Sequence, residues 1–172
     1  MSPAVAKTKQ SAKQVATAYF AAIAKRDVDA MMELWEPGGY ADIYGMVSLR
    51  APEGHRAWFG NVLFRAFPDL AMEVIDIVAY GEKAAVRWRA AGTFTGPVKF
   101  EGLEATGTRI EIEGLDLLTI RDGLIRDNRA YTNATEIARQ LGAMPPAGSV
   151  GERAMLRAVN LRTRARDVLQ RR

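Results

Sequence analysis

The chain has 172 residues, which suits one domain with a sizeable core; apolar residues make up 48% and charged residues 26%, an ordinary globular balance. With no cysteine and one histidine, disulfides, thiolate metal sites, cysteine nucleophiles and multi-histidine metal centres are excluded. The formal charge of +4 is uneven: residues 149–172 carry seven arginines against Glu152 and Asp167, net +5, which leaves −1 for the rest and argues against a nucleic-acid-binding face on the domain.

The first residues, MSPAVAKTKQ, have lysines but no apolar core behind them. They read as a solvated tail over 1–10 and not as a secretory signal. No apolar run approaches the ~20 residues of a membrane helix, and a cytoplasmic protein is expected. From Ser11, a plausible N-cap, Val15, Tyr19, Ala22 and Ile23 fall at helical spacing. Val28, Met31, Leu34 and Trp35 make a second helical face, stopped by Pro37-Gly38-Gly39. YADIYGMVSL then reads as short, irregular and extended. APEGHRAWFGNVLFRAFPDL is the third helix, with Trp58, Val62, Leu63 and Phe67 as its stripe.

Beyond Pro68 the period changes to two. LAMEVIDIVAY and AAVRWRAAGTF flank GEK and read as a hairpin. Val86, Trp88 and Ala90 alternate with Arg87 and Arg89, so one face is buried and the other wet. TGPVKFEGLEATG reads as a loop over the mouth of the sheet. TRIEIEGLDLLTI and LIRDNRAYT form a second hairpin around RDG. NATEIARQLG is a short helix with Asn133 as N-cap, Glu136 in a capping box and Gly142 as C-cap. AMPPAGS is a linker, and VGERAMLRAVNLRTRARDVLQ is a basic terminal helix. Helices first and antiparallel strands afterwards define an α+β fold. It is a curved, cone-shaped mixed or antiparallel sheet packed against three N-terminal helices, with an extra C-terminal helix.

No glycine-rich loop has nucleotide-binding spacing, and the acids show no calcium-loop spacing. Neither a metal nor a cofactor is expected. GNVLF lacks the serine of a nucleophile elbow, and nothing places the single histidine, His55, beside a serine. What remains is a set of acids and a tyrosine. Asp116 sits inside a strand between Leu115 and Leu117 and points away from both, although Gly114 leaves room for a bulge. On a concave apolar face such a carboxyl loses hydration, its pKa rises, and it stays protonated as a hydrogen-bond donor. On the outer face it is a surface acid, or a structural acid paired with Arg87 or Arg89. Tyr19 lies on the buried face of the first helix, where its hydroxyl needs a partner. Asp42, alone, reads as a turn or cap acid.

AYFAAIAKRDVDAMMELW, YADIYG and EGLDLLTIRDGLI together resemble segments of ketosteroid isomerase, in the nuclear transport factor 2-like superfamily. The stretch from FRAFPDL to GTFTGP, with ATGTRIEIEGLDLLTIRDGLI and ARQLGAMPP, resembles the SnoaL-like polyketide cyclase branch of that superfamily. The resemblance covers roughly residues 11–142 and implies a nuclear transport factor 2-like domain over 11–144, followed by a linker and basic helix over 145–172. It implies that Asp42 is the general base, Tyr19 the oxyanion-hole tyrosine and Asp116 the protonated oxyanion-hole acid. It implies a small apolar carbonyl-containing ligand, polyketide- or steroid-like, and proton abstraction next to the carbonyl, as in an isomerase, dehydratase or cyclase. Trp35, Tyr44, Trp58, Phe59, Trp88 and Phe94 are the candidate pocket wall. A homodimer is expected, with neither nucleic acid nor membrane as partner. One departure is plain: where the cyclases carry His-Trp-Asp, whose aspartate is their acid/base, this chain has Asn128, Arg129 and Ala130. Two alternatives follow. One is epoxide opening by Asp42, Asp116 and an arginine such as Arg87, Arg89 or Arg129. The other is a non-catalytic dimeric module that holds an apolar ligand.

Overall fold

The computed structural model describes residues 10–170; the tail expected over 1–10 lies outside them apart from Gln10, as do Arg171 and Arg172. The chain forms two compact units, the first ending at Ala134 and the second starting at Thr135.

The first unit opens with α1 (Ala12–Lys25). Ser11 Oγ accepts from the Gln14 N–H and Gln14 Oε1 accepts from the Ser11 N–H, a reciprocal capping box that satisfies two otherwise orphaned donors. The apolar face read from the sequence is the buried one, with Val15, Tyr19, Ala22 and Ile23 inside. It packs on strands β3, β4 and β5, whose ranges follow. The second helix, α2, is shorter than its apolar spacing predicts and runs only over Val28–Met32. Trp35 therefore begins a strand: β1 spans Trp35–Ile43, and Pro37-Gly38-Gly39, expected to stop a helix, is part of it. The reason is tertiary pairing, because the Ile125 N–H donates to the Leu34 carbonyl and Trp35 lies in register with Ile125. β2 (Val47–Arg50) returns antiparallel to β1. The third helical stretch starts with α3 (Glu53–His55), widens to a π-helix over Arg56–Leu63, and ends as α4 (Phe64–Ala66).

β3 (Ala71–Tyr80) and β4 (Lys83–Thr93) form the first long hairpin. β5 (Arg109–Arg121) and β6 (Leu124–Thr132) form the second. The two turns are the GEK and RDG stretches. The six strands lie in the order β2-β1-β6-β5-β4-β3, with β1 and β6 parallel and every other pair antiparallel. Irregular registers at Trp35/Tyr40, Val74/Asp76 and Thr119/Ile120 bend the strands and curve the sheet. Three N-terminal helical segments on a curved mixed sheet is the α+β architecture read from the sequence.

The second unit contains the rest of α5 (Ala134–Gln140), whose exit passes through Gly142 at φ 81°, and α6 (Val150–Gln170). Ser149 Oγ accepts from the Glu152 N–H at the start of α6, and Arg139 pairs with Glu152 at 2.7 Å. Among the described residues no helix is long and apolar enough to cross a membrane.

Phe94, a candidate pocket residue by sequence, lies elsewhere. It is fully buried in a trio with Phe67 at 5.3 Å and Phe100 at 6.2 Å, outside the main core cluster. The loop after β4 folds back to make this plug, because three large rings bury more apolar area together than facing solvent. Phe94→Ala is expected to cost roughly 3 kcal/mol in denaturant unfolding, the usual loss for a buried phenylalanine, and to leave ligand affinity unchanged.

Candidate active site

In β5 the usual strand pattern is inverted. Leu115 and Leu117 are 44% and 38% exposed, whereas Asp116 between them is buried. The register sets this. Asp116 lies between Val86 of β4 and Ala130 of β6, both buried, so all three face the helices. Both carboxylate oxygens are held: Trp88 Nε1–H donates to Oδ1 at 2.8 Å and Asn128 Nδ2–H donates to Oδ2 at 2.6 Å. Gly114 makes the first bond possible. The Trp88 indole lies against its Cα so closely that an added Cβ would come within 2.2 Å of the ring. Gly39 does the same for Trp35, with an added Cβ 2.8 Å from that ring.

Tyr19 reaches this group from α1. Its hydroxyl is held well above the ordinary phenol range, first by burial and then by the negative charge of Asp116; the Trp35 indole edge works the other way without a hydrogen bond of good geometry. The Tyr19 and Trp35 rings meet edge-on at 5.9 Å. Trp35 in turn stacks obliquely on His55 at 4.2 Å, and His55 lies nearly parallel to Phe59 at 6.2 Å. The result is a contiguous buried line: Asn128, Asp116, Tyr19, Trp35, His55.

Burial pushes the Asp116 carboxyl up to about 6, against the opposing pull of its bonds to Asn128 and Trp88. Burial pushes the His55 imidazole down to about 4, opposed only weakly by the Arg50 carbonyl. At neutral pH, Asp116 is mostly ionised, Tyr19 is a neutral donor and His55 is neutral.

Asp42 is not part of this group. Its β1 neighbour Ala41 pairs with Asn128 on the inner face, and Asp42 itself pairs with Arg129 on the outer one. There its carboxylate accepts from Ser48 Oγ at 3.1 Å and from Arg129 Nη1 at 3.3 Å. Arg129 also bonds Asp127, at 3.2 Å. Tyr44, expected in the pocket wall, is 40% exposed and stacks on Tyr131 at 4.6 Å, on residues adjoining that outer cluster. Arg87 and Arg89 both pair with Glu113, and among the described residues no arginine bonds Asp116. The Asp-Arg-Asp set that epoxide opening would require is therefore not assembled. Of the predicted site residues, Tyr19, Asp116, Trp35, Trp88 and Phe59 come together. Trp58 is half-buried at the margin, edge-on to Phe59 at 4.8 Å.

Two residues were not assigned to the site from sequence. Asn128 had a signal, since it shares the inward phase of β6 with Ala130 while Asp127, Arg129 and Tyr131 take the outward one. His55 had none, because only the packing of its helix beside β2 and of the Trp35 ring on its imidazole buries it. Among the described residues no cluster of three or more His, Asp or Glu side chains is arranged to hold a metal.

With this geometry in view, the comparisons are specific about family. The family model of the SnoaL-like polyketide cyclases matches residues 13–141, and the chain belongs to that family. No curated protein matches the sequence significantly. Among solved structures, AclR from Streptomyces galilaeus, a proposed hydroxylase, superposes with a TM-score of 0.67 at 21% identity, covering 90% of this chain and 96% of its own. TsrD from Streptomyces laurentii gives 0.64 at 27% identity, covering 76% and 94%. IdmH from Streptomyces antibioticus, a proposed polyketide cyclase, gives 0.62 at 25% identity, covering 77% and 99%.

The two shifted groups act oppositely on stability. Asp116 favours the folded state at low pH, and that contribution is lost as pH rises from about 3.8 to about 6. His55 favours it at high pH, and its contribution is lost as pH falls from about 6.5 to about 4. Removing one exposes the other. Relative to wild type, Asp116→Leu should gain roughly 3 kcal/mol of unfolding free energy between pH 3.8 and pH 7, read from urea titrations at each pH.

Proposed function

We propose that the protein is an acid–base enzyme acting on a polyketide-like carbonyl compound, with Asp116 as the base and Tyr19 as the donor to the developing enolate. The observation that carries this reading is the buried Asp116 carboxylate, fixed by Trp88 and Asn128 beside the Tyr19 phenol. The roles differ from those implied by resemblance. Asp42 faces the other side of the sheet, and the base falls to the one carboxylate that is buried among the described residues. Because both Asp116 oxygens already accept an N–H, the ionised form suits them better than a protonated donor would. Each oxygen keeps a second lone pair for a substrate proton.

The substrate carbonyl accepts from Tyr19. Asp116 takes the proton from the adjacent carbon, and the C–H electron pair moves into the new C=C bond as charge passes to oxygen. Tyr19, whose own proton is held tightly, stabilises that charge without losing it. The protonated Asp116 then returns its proton at a different carbon, which is isomerisation, or the enolate carbon attacks a second carbonyl whose oxygen, now an alkoxide, takes the proton back from Asp116, which is cyclisation. A base with a pKa just below neutrality is ionised at working pH yet strong enough to assist C–H cleavage. Support for a polyketide-like substrate comes from the family and from a neighbour such as IdmH.

The test needs no native substrate. Exchange of deuterium into the α-position of 2-tetralone, followed by proton NMR, reports the base step directly. Wild type is expected to catalyse exchange with a rate that rises with pH through about 6. Asp116→Asn should lose roughly 100-fold or more, and Tyr19→Phe roughly 10- to 100-fold. Asp42→Asn should stay within about twofold of wild type. Exchange abolished by Asp42→Asn and retained by Asp116→Asn would overturn the assignment.

A further inference from the structure

The proposed proton transfer leaves part of the interior unexplained. His55 is fully buried, and neither ring nitrogen has a hydrogen-bond partner. The Trp35 indole N–H, also buried, has none either. Buried polar groups are nearly always paired, and each orphan costs about 1–3 kcal/mol. Here two occur in one ring contact, 4.2 Å between centroids.

Their chemistry defines what would satisfy them. An indole N–H only donates. A neutral imidazole carries one N–H and one bare nitrogen. The backbone acceptor that acts on the imidazole is the Arg50 carbonyl, which makes no full hydrogen bond but favours the N–H on its side and leaves the bare nitrogen for something else. Phe59 on the far side of the imidazole and Trp35 on the near side keep the ring from turning away. The pair thus offers one donor and one acceptor on two rings in contact. A carbonyl or an ether would use only the donor. A hydroxyl accepts from Trp35 and donates to His55, so it satisfies both.

We propose that Trp35 and His55 form a hydroxyl-recognition pair, which selects substrates carrying a hydroxyl on the ring system remote from the reacting carbonyl. The placement rests on the reading above, in which Tyr19 binds the reacting oxygen. Trp35 touches Tyr19 edge-on at 5.9 Å, so the pair starts one ring contact from that phenol and His55 lies two away. His55 is then a specificity residue and takes no part in proton transfer. A site of this kind rejects a substrate that lacks the hydroxyl because its own buried groups stay unpaired.

The test is calorimetric titration at pH 7 with 2-naphthol, the dihydroxynaphthalenes that share its hydroxyl, and their monomethyl ethers. The proteins are wild type, Tyr19→Phe, Trp35→Phe, His55→Leu and His55→Gln. In wild type, at least one dihydroxynaphthalene should bind roughly tenfold tighter than both naphthol and its own methyl ether. His55→Leu and Trp35→Phe should each reduce that preference, read as the ratio of affinities within each variant, to within about twofold. His55→Gln, which keeps an acceptor, should retain part of it, and it reports on the pair even where the leucine variant fails to fold. Naphthol binding that is weakened by Tyr19→Phe, with no gain from any second hydroxyl or with a gain that survives both Trp35→Phe and His55→Leu, would overturn the hydroxyl pair alone. Naphthol binding indifferent to Tyr19→Phe would remove the anchor, and the function proposed above would fall together with this inference.

Discussion

Everything in the interior is arranged around one carboxylate taken out of water and only partly repaid. Asp116 loses its hydration shell on a strand face where its register neighbours are Val86 and Ala130. Two N–H donors replace that shell, one from an indole and one from an amide, and neither carries a charge. A buried arginine would have held the carboxyl low and made it inert. Neutral donors leave burial dominant, so the group sits near 6, where it exchanges protons at physiological pH. The neighbours follow from this: Gly114 exists for Trp88 to lie down, and Tyr19 keeps its proton because it is buried and, secondly, because a negative group stands beside it.

His55 completes the proton balance. Between about pH 4 and pH 6 the folded chain keeps one proton on Asp116 and none on His55. The unfolded chain over the same range keeps one on the histidine and none on the acid. Folding therefore moves a proton between the two residue types and changes the total little. Among the described residues Asp116 has no paired charge, and the cost of desolvating an ion pair there is avoided. The charges nearest the site in sequence are on the other side of the sheet. Asp42 with Arg129, and Glu113 with Arg87 and Arg89, are partly exposed pairs that add little to stability. Their effect on the site is segregation, because strand alternation keeps their arginines away from Asp116.

Much of this was legible in the residues. Ser11 announces the start of α1, the GEK and RDG turns locate both long hairpins, and Asp116 between two leucines marks a carboxylate on the face opposite theirs, inner or outer. What was not legible depends on non-local pairing. Trp35 has helical spacing with Met31 and Met32 but is drawn into β1 by Ile125, ninety residues away in sequence. That irregular entry, with its register shift between Trp35 and Tyr40, decides which face Asp42 takes. A one-residue slip would have turned it inward, and no local pattern distinguishes the two. Tyr44 and Phe94 were misplaced for related reasons. An aromatic residue near a strand end fits a pocket, a surface stack or a separate plug equally well until the partners, Tyr131 in one case and Phe67 with Phe100 in the other, are known.

The central claim is that Asp116 titrates near neutrality inside the fold while bonded to Trp88. The Trp88 indole N–H reports this directly, through its nitrogen and proton chemical shifts followed from pH 4 to 8 and assigned with Trp88→Phe. The account predicts a single titration of that signal with a midpoint of about 6, absent in Asp116→Leu. A midpoint at the ordinary carboxylate value, or a signal that does not move at all, would contradict it.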